Sequence, residues 1–201
     1  MADLKNTKRL ICADCGYPQA TCLCPWVKPI DSPMNIVILQ HPSEAKHAKN
    51  TVRLLALGLS NVKILQGETA ADFSELAEVV LRSQQHYHLC YPHAKSIAIE
   101  TFNTQIQPIE FGHTLILIDA SWRKALKMWH LNPWLHSLNS WHFANPPKNQ
   151  YQIRHTTQKN SLSTLESVSY VLELIHDLDC SPLYLLFNQM QIRCFINQKR
   201  K

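Results

Sequence analysis

The chain has 201 residues, of which 45% are hydrophobic, a formal net charge of +5 and only four glycines. This apolar content is enough for one globular domain with a sizeable core and argues against disorder. No two glycines are close enough to form the G-x-G of a dinucleotide-binding turn, and the P-loop pattern is also missing from the sequence. The moderate positive charge favours a polyanionic partner such as RNA.

The start of the chain is polar and charged, without the apolar stretch of a signal peptide. No apolar run approaches the roughly 20 residues that a membrane span needs. The sequence therefore predicts a cytoplasmic protein with no membrane partner. Disulfides are not expected in that compartment, and Cys90, Cys180 and Cys194 lie in apolar surroundings typical of small core residues.

A cluster of four cysteines marks the first part of the chain. Cys12-x-x-Cys15-Gly16 is followed by Cys22-x-Cys24, which places four thiols within thirteen residues. Four thiolates complete a tetrahedral zinc site and leave no position open for a substrate, so such a site is structural. The alternatives are a redox dithiol or a chance cluster. We predict a zinc-binding segment at residues 1–30, stabilised by its metal, and a larger domain at residues 31–201.

After this segment, predicted strands and helices alternate. Continuous apolar runs indicate strands buried on both faces, apolar spacings of three and four indicate amphipathic helices, and capping boxes at 72–75 and 163–166 mark helix starts. In chain order the elements are strand 35–39, helix 44–58, strand 62–65, helix 72–83, strands 88–91, 96–99 and 114–118, helix 121–130, strand 140–143, a helix from 163 and a helix at 183–197. The alternation predicts an α/β fold with a largely parallel sheet flanked by helices. Ligands then bind beyond the carboxyl ends of the strands, in the loops after residues 39, 65, 91 and 118.

The clearest strand ends at Asp119-Ala-Ser-Trp122, where a helix begins. Asp119 can serve as a base or as a hydrogen-bond acceptor for a ligand, Ser121 can cap the helix, and Trp122 offers a flat face for stacking. The alternative is that Asp119 or Ser121 only caps the helix while Trp122 packs in the core. The spacing alone leaves both interpretations open.

The helix that follows Asp119 has a basic face. Its polar positions are Arg123, Lys124, Lys127 and His130. A basic face beside a candidate site can hold RNA phosphates, although such faces are often only solvated.

Two further polar groups are candidates for binding. Glu44, His47 and Thr51 share one face of the predicted helix 44–58, where a metal is a weak alternative because the spacing fits no zinc template. Arg154 can pair with a carboxylate or a phosphate. Glu166 is accounted for by its place in a capping box, so a functional role for it needs independent support.

An ordered set of short motifs covers nearly the whole chain. The set comprises the four-cysteine cluster, Leu39-Gln-His-Pro-Ser-Glu44, Asn50-Thr-Val-Arg-Leu-Leu55, Gly67-Glu68, Tyr91-Pro92, Asp119-Ala-Ser-Trp122, Tyr151-x-x-Arg154 and Leu162-Ser-Thr-Leu-Glu166. In this order the motifs resemble the DTW-domain family, the tRNA-uridine aminocarboxypropyltransferases. The chain departs from the family pattern at Ser121, where the name-giving Asp-x-Thr-Trp has threonine, and at Asn149, where a serine is common.

The resemblance implies a fold related to the knotted SPOUT methyltransferases, with S-adenosylmethionine as donor substrate, tRNA as partner and zinc as a structural metal. The donor-binding residues that it implies are Leu89, Tyr91, Pro92, Asp119, Ser121, Trp122, Tyr151, Ile153, Arg154 and Glu166. The tRNA-binding residues are expected to be His41, Glu44, His47, Asn50, Thr51, Arg53, Arg123, Lys124 and Lys127.

The reaction implied by the resemblance transfers the 3-amino-3-carboxypropyl group of S-adenosylmethionine to N3 of a tRNA uridine and releases methylthioadenosine. The N3 proton needs an acceptor, and we expect Asp119 to take it in concert with the attack, because a free aspartate, with a pKa of about 3.9, is too weak a base for full deprotonation. Two alternatives stay open: a SPOUT-type RNA methyltransferase with the same donor, and a non-catalytic zinc-ribbon RNA-binding protein. The sequence also leaves open which tRNA and uridine are modified, and whether the protein is a monomer or a homodimer.

Overall fold

The centre of the protein, a computed structural model that describes residues 10–102, 109–153 and 161–196, is a six-stranded sheet. Its strands are β1 (Asn35–Gln40), β2 (Val62–Gln66), β3 (Tyr87–Cys90), β4 (Ile97–Ala98), β5 (Thr114–Asp119) and β6 (Asn139–His142). Their spatial order is β2-β1-β5-β3-β6-β4, and every neighbouring pair is parallel. The predicted parallel sheet is confirmed.

The central strands β1 and β5 are buried on both faces, as their continuous apolar sequences predict. Because side chains alternate along a strand, Ile36 and Ile38 of β1 enter one hydrophobic core and Val37 and Leu39 enter the other. Helices cover both faces of the sheet. This confirms an α/β fold with flanking helices.

The α-helices are α1 (Pro42–Ala45), α2 (Val52–Gly58), α3 (Ser74–Arg82), α4 (Trp122–Leu131), α5 (Thr164–His176) and α6 (Ser181–Gln191). Residues of α2, α5 and α6 form one core with the sheet, and residues of α3 and α4 form the other. Short 3-10 turns lie at Gln19–Thr21, Cys24–Trp26, Ala70–Phe73, Gln84–His86, Ile99–Thr101 and Pro133–Ser137, and a π turn at Ile192–Ile196 extends α6. Among the described residues, no helix has the length and hydropathy that crossing a bilayer requires.

Two predicted helix boundaries were wrong. The single helix expected at 44–58 is divided into α1 and α2, because the Asn50 side chain accepts a hydrogen bond from the Val52 amide at 2.8 Å and starts a new helix there. The capping box expected at Asp72 starts three residues earlier, since the Asp72 carboxylate accepts from the amide of Thr69 at 2.8 Å. The box at residues 163–166 is confirmed.

The described part of the cysteine-rich segment packs against α2 and α6. Cys15, Tyr17 and Leu23 are buried in the same core as those helices. The Arg53 guanidinium of α2 lies 4.5 Å from the centre of the Tyr17 ring and donates to the Gly16 carbonyl at 2.5 Å. The segment therefore shares a core with the sheet, and the domain division at residue 30 stays a prediction.

Candidate active site and metal centre

A cavity of about 440 Å³ lies beyond the carboxyl ends of β3, β5 and β6. This volume falls in the range of roughly 300–1,000 Å³ that is usual for small-molecule sites. The lining comprises residues 90–92, 117–120, 122, 125, 141–143, 149, 151, 161–164 and 167. Two of the four loops expected to bind a ligand, those after residues 91 and 118, contribute to it.

Asp119, the last residue of β5, is held in the cavity wall by donors from two other elements. The Gln40 amide at the end of β1 donates to Oδ2 at 2.8 Å, and the Thr164 hydroxyl at the start of α5 donates to Oδ1 at 2.6 Å. Donors on both oxygens stabilise the carboxylate form and fix its plane. The structure thus orients the one acidic side chain among the described residues of the lining.

Aromatic side chains form much of the remaining wall. Trp122, at the start of α4, lines the cavity but is 47% exposed, so one part of the indole faces solvent. Tyr91 and Pro92 line the cavity from the loop after β3. Ser121 occupies the N-cap position of α4, yet its side chain makes no capping hydrogen bond. Trp122, Tyr91 and Pro92 thus offer apolar faces against which a flat ring can pack.

Glu166 lies behind the lining instead of within it. Its carboxylate is 3% exposed and accepts from the Gln150 amide at 2.6 Å and from the Ser163 amide at 2.8 Å. These bonds fasten the loop that carries Asn149 and Tyr151, both in the cavity wall, to the first turn of α5. The geometry makes Glu166 a support for the site.

The other residues expected to bind the donor lie in different places. Tyr151 lines the cavity and donates through its hydroxyl to the Lys49 carbonyl. Leu89 is fully buried within β3, and Ile153 packs partly buried against the core outside the lining. Arg154 lies outside the described residues.

Three of the expected tRNA-binding residues lie on the outer side of α4, next to Trp122. Arg123 and Lys127 are exposed, and Lys124 is half-buried. Lys124 donates to the Ser43 hydroxyl at 2.5 Å, and Lys127 lies 3.0 Å from the Glu68 carboxylate. That carboxylate also lies 3.5 Å from Nε2 of His41, another expected contact. These three basic residues share α4 with Trp122, which lines the cavity.

The remaining expected tRNA-binding residues do not form one surface. His47 is exposed and Glu44 half-buried, but Asn50 and Thr51 are buried. Arg53 is occupied by its contacts with the cysteine-rich segment. The shared polar face expected for residues 44, 47 and 51 depends on a continuous helix, and the division at Asn50 removes it.

Sequence reasoning missed several residues of the site. Gln40 and Thr164 hold Asp119, and His142 lines the cavity from the end of β6. The capping box at residues 163–166 was a signal for Thr164, because it placed a helix N-terminus after a loop. His142 lies in a short strand that carries no motif, so its pattern offered no signal.

The four clustered cysteines have the arrangement of a metal site. Their Sγ atoms all lie within 4.8 Å of one another, with Cys12 and Cys24 at 3.6 Å and Cys15 and Cys22 at 3.8 Å. A tetrahedron of sulfurs around zinc at about 2.3 Å has edges of about 3.8 Å, so the thiols fit that ion. A disulfide needs sulfurs at about 2.05 Å. A positive φ of 68° at Gly16 forms the turn between the ligands.

The thiol pKa values follow from this crowding. Burial works against ionisation of Cys15, but backbone N–H groups of Leu23 and Tyr17 donate to its sulfur and bring the pKa down to about 7. The neighbouring thiols of Cys22 and Cys12 raise the pKa of Cys24 to about 12. The thiol of Cys15 therefore ionises readily, whereas that of Cys24 does not unless a cation lies beside it, which couples metal binding to proton release.

Comparisons with known proteins relate the chain to one family. The sequence model of the family described as DTW domain matches residues 9–195 of this chain. The tRNA-uridine aminocarboxypropyltransferase 2 of Mus musculus is 31% identical over 179 residues, which is 86% of this chain and 59% of the relative. The enzyme of the same name from Drosophila melanogaster is 32% identical over 87% of this chain and 69% of its own length. The tRNA-uridine aminocarboxypropyltransferase A of Arabidopsis thaliana is 48% identical over 58 residues, 27% of this chain and 22% of its own length.

The chain thus spans 59–69% of the length of the mouse and fly relatives. No solved structure shows significant similarity to it. The family model nevertheless covers almost all of the chain, from residue 9, before the cysteine cluster, to residue 195, within the π turn. This chain belongs to the DTW-domain family.

Proposed function

We propose that this chain is a tRNA-modifying transferase that moves the 3-amino-3-carboxypropyl group of S-adenosylmethionine to N3 of a tRNA uridine and releases methylthioadenosine. The observation that carries the proposal is the cavity beyond β3, β5 and β6, with the Asp119-Ala-Ser-Trp122 motif in its wall, in a chain of the DTW-domain family. The similarity to tRNA-uridine aminocarboxypropyltransferases supports transfer of an aminocarboxypropyl group to a tRNA uridine.

The cavity suits a donor of this chemistry. An adenine ring can pack against its aromatic and apolar side chains. A glycine-rich turn, which the sequence lacks, serves to bind phosphates, and this donor has none. The indole N–H of Trp141 is buried and has no partner among the described residues, so an acceptor on the donor would satisfy it. The first turn of α5 presents the positive end of a helix dipole to the lining, which favours the donor's carboxylate.

Asp119 is the proposed catalytic carboxylate. Its two hydrogen bonds hold it ready to act on the reacting groups, either as the acceptor of the N3 proton or as the partner of the donor's ammonium group. The second role would orient the donor so that its propyl carbon, and not its methyl group, faces the nucleophile. Asp119→Asn separates the roles: the first predicts lost transfer with unchanged donor affinity, and the second predicts loss of both.

The exposed part of Trp122 and the basic face of α4 form the proposed route for tRNA. Phosphates would bind Arg123, Lys124 and Lys127, while the target base, displaced from its stack, reaches the cavity past Trp122. Zinc in the four-cysteine site is proposed to be structural, because all four tetrahedral positions are taken by protein thiolates.

The knotted SPOUT-like topology implied by the family is also part of the proposal. The parallel order β1-β5-β3-β6, with the cavity at the carboxyl ends, supports it. An experimental chain trace that includes residues 154–160 would test it. A cytoplasmic location, and a monomer or homodimer as the working form, stay predictions.

Product analysis tests the reaction. Purified protein, S-adenosylmethionine and tRNA should yield methylthioadenosine and a tRNA uridine that is heavier by one aminocarboxypropyl group in nucleoside mass spectrometry. S-adenosylhomocysteine with a methylated nucleoside would instead identify a methyltransferase. Titration calorimetry that detects no donor binding, with tRNA binding retained, would identify a non-catalytic RNA-binding protein.

A further inference from the structure

A histidine in the cavity wall belongs to a hydrogen-bond network that defines its tautomer. His142 is the last residue of β6, is half-buried and lines the cavity. Its Nδ1 lies 2.9 Å from the hydroxyl of Ser96, which belongs to the loop between β3 and β4. The same hydroxyl lies 3.1 Å from the His93 amide nitrogen and 2.8 Å from the His93 carbonyl oxygen.

These three contacts define the tautomer of His142. The Ser96 hydroxyl has one hydrogen to donate, the His93 amide can only donate, and the His93 carbonyl can only accept. If the hydroxyl donated to Nδ1, its lone pairs would face the carbonyl oxygen at 2.8 Å without a hydrogen between them. All three contacts are hydrogen bonds only when Ser96 donates to the carbonyl and His142 donates from Nδ1. The neutral imidazole therefore carries its hydrogen on Nδ1 and a lone pair on Nε2.

Resting on the proposed function, we infer that Nε2 of His142 is the general base that accepts the N3 proton of the target uridine. The N3–H bond breaks and its proton moves to Nε2, while N3 forms a bond to the donor's propyl carbon next to sulfur. The carbon–sulfur bond breaks with its electron pair passing to sulfur, so neutral methylthioadenosine leaves. The imidazolium then returns its proton to water.

His142 matches this task better than the carboxylate across the cavity. Both oxygens of Asp119 already accept hydrogen bonds. A free imidazole has a pKa of about 6.5 and a free aspartate of about 3.9, so the imidazole is the closer match to an imide N–H. Asp119 would then hold the donor's ammonium group.

The ionisable groups near His142 lie on three elements. His93 and Lys95 share the loop with Ser96, Asp119 lies across the cavity, and Glu100 accepts from the Ala144 and Asn145 amides just beyond β6. Burial lowers the pKa of His93, as do the charges of His136 and Lys95. The charge of His142 also lowers the pKa of His93, so a proton on His142 disfavours a second proton on His93.

The protein without donor or tRNA provides the first test. A long-range ¹H–¹⁵N spectrum of the histidine rings should show His142 with hydrogen on Nδ1. Ser96→Ala removes the partner that selects this tautomer and should give a mixture. A spectrum of the unchanged protein with hydrogen on Nε2 alone would overturn the inference.

Kinetics provides the second test. In His142→Asn, the side-chain amide N–H can replace Nδ1–H as the donor to Ser96. No basic nitrogen then occupies the position of Nε2. Transfer should fall by about 10²–10⁴ in kcat, with donor affinity changed less than about threefold, and the rise of rate with pH that reports an imidazole should disappear. Ser96→Ala, which alters positioning only, should lose less rate and keep that pH dependence.

His86→Asn makes the same chemical change at an exposed position near the amino end of β3 and should leave the kinetics unchanged. If the unchanged protein forms methylthioadenosine and His142→Asn keeps both its rate and its pH profile, His142 is not the base and the proposed function stands. If the unchanged protein forms no methylthioadenosine, the proposed function itself fails, whatever the tautomer of His142.

Discussion

Glu166→Gln is the substitution that best separates a supporting residue from a donor-binding one. The glutamate is 3% exposed, and each of its oxygens accepts from a backbone amide, Gln150 at 2.6 Å and Ser163 at 2.8 Å. Hydrogen bonds to charged groups contribute about 1.5–3 kcal/mol each. Glutamine keeps one acceptor oxygen but turns an NH₂ group toward the other amide, which is left unpaired in a buried place.

We therefore expect the free energy of unfolding to fall by about 2–4 kcal/mol, from one lost charge-assisted bond and one unpaired amide. Chemical denaturation followed by circular dichroism would measure it. Donor affinity should fall several-fold in titration calorimetry, because Asn149 and Tyr151 line the cavity on the loop that Glu166 holds.

Glu78→Gln is the matched control. Its side chain is 71% exposed and pairs with Arg82 at 3.6 Å on the surface of α3, so stability and donor binding should not change measurably. If Glu166→Gln lowers the free energy of unfolding by less than about 0.5 kcal/mol, Glu166 does not support the site as described. Loss of donor binding without loss of stability would mean that Glu166 contacts the donor itself, as the family resemblance implies.

Three further predictions follow from the metal centre, the buried histidines and the basic face. Elemental analysis should find one zinc per chain, and Cys12→Ser should lose the metal and lower the melting temperature; a metal-free purified protein of full stability would contradict this. Burial lowers the pKa of His88 to about 4, so below about pH 6.5 the unfolded chain binds a proton that the folded chain excludes, and stability should fall by up to about 3 kcal/mol between pH 6.5 and 4. His88→Asn should flatten that pH dependence, and an unchanged profile would count against it. Replacing Arg123 and Lys124 by alanine should weaken tRNA binding and reduce the slope of log K against log salt by about 1.4–1.8, whereas Lys63→Ala on β2 should not; equal effects would remove the α4 face from the tRNA route.

Features that depend on neighbours along the chain were predictable from the sequence. The apolar run at 114–118 predicted β5 because a strand covered on both faces needs no polar alternation. The spacing of the four cysteines predicted their convergence, since a C-x-x-C turn with glycine brings two sulfurs together. The Ser163 capping box predicted the start of α5 within one residue.

Features that depend on residues far apart in the chain were not predictable from the sequence. Gln40 and Asp119 are separated by 79 residues and meet only because β1 and β5 are neighbours in the sheet. The Arg53 side chain was expected to bind tRNA, but it contacts Gly16, 37 residues earlier. Glu166 was recognisable as a cap, while its second bond, to Gln150, joins two residues that are 16 positions apart in the chain.

The scarcity of glycine in the composition excluded a glycine-rich phosphate site and was compatible with a ligand without phosphates. Sequence by itself determined the parallel α/β class, the candidate metal ligands and the motif at the end of β5, because hydrophobic period and short spacings encode local geometry. Only the tertiary structure decided that His142, from a short strand without a motif, shares a cavity with Asp119. The physical reason is that the carboxyl ends of all parallel strands lie at one edge of the sheet. Which side chains become neighbours at that edge depends on the order of the strands, and long-range packing sets that order.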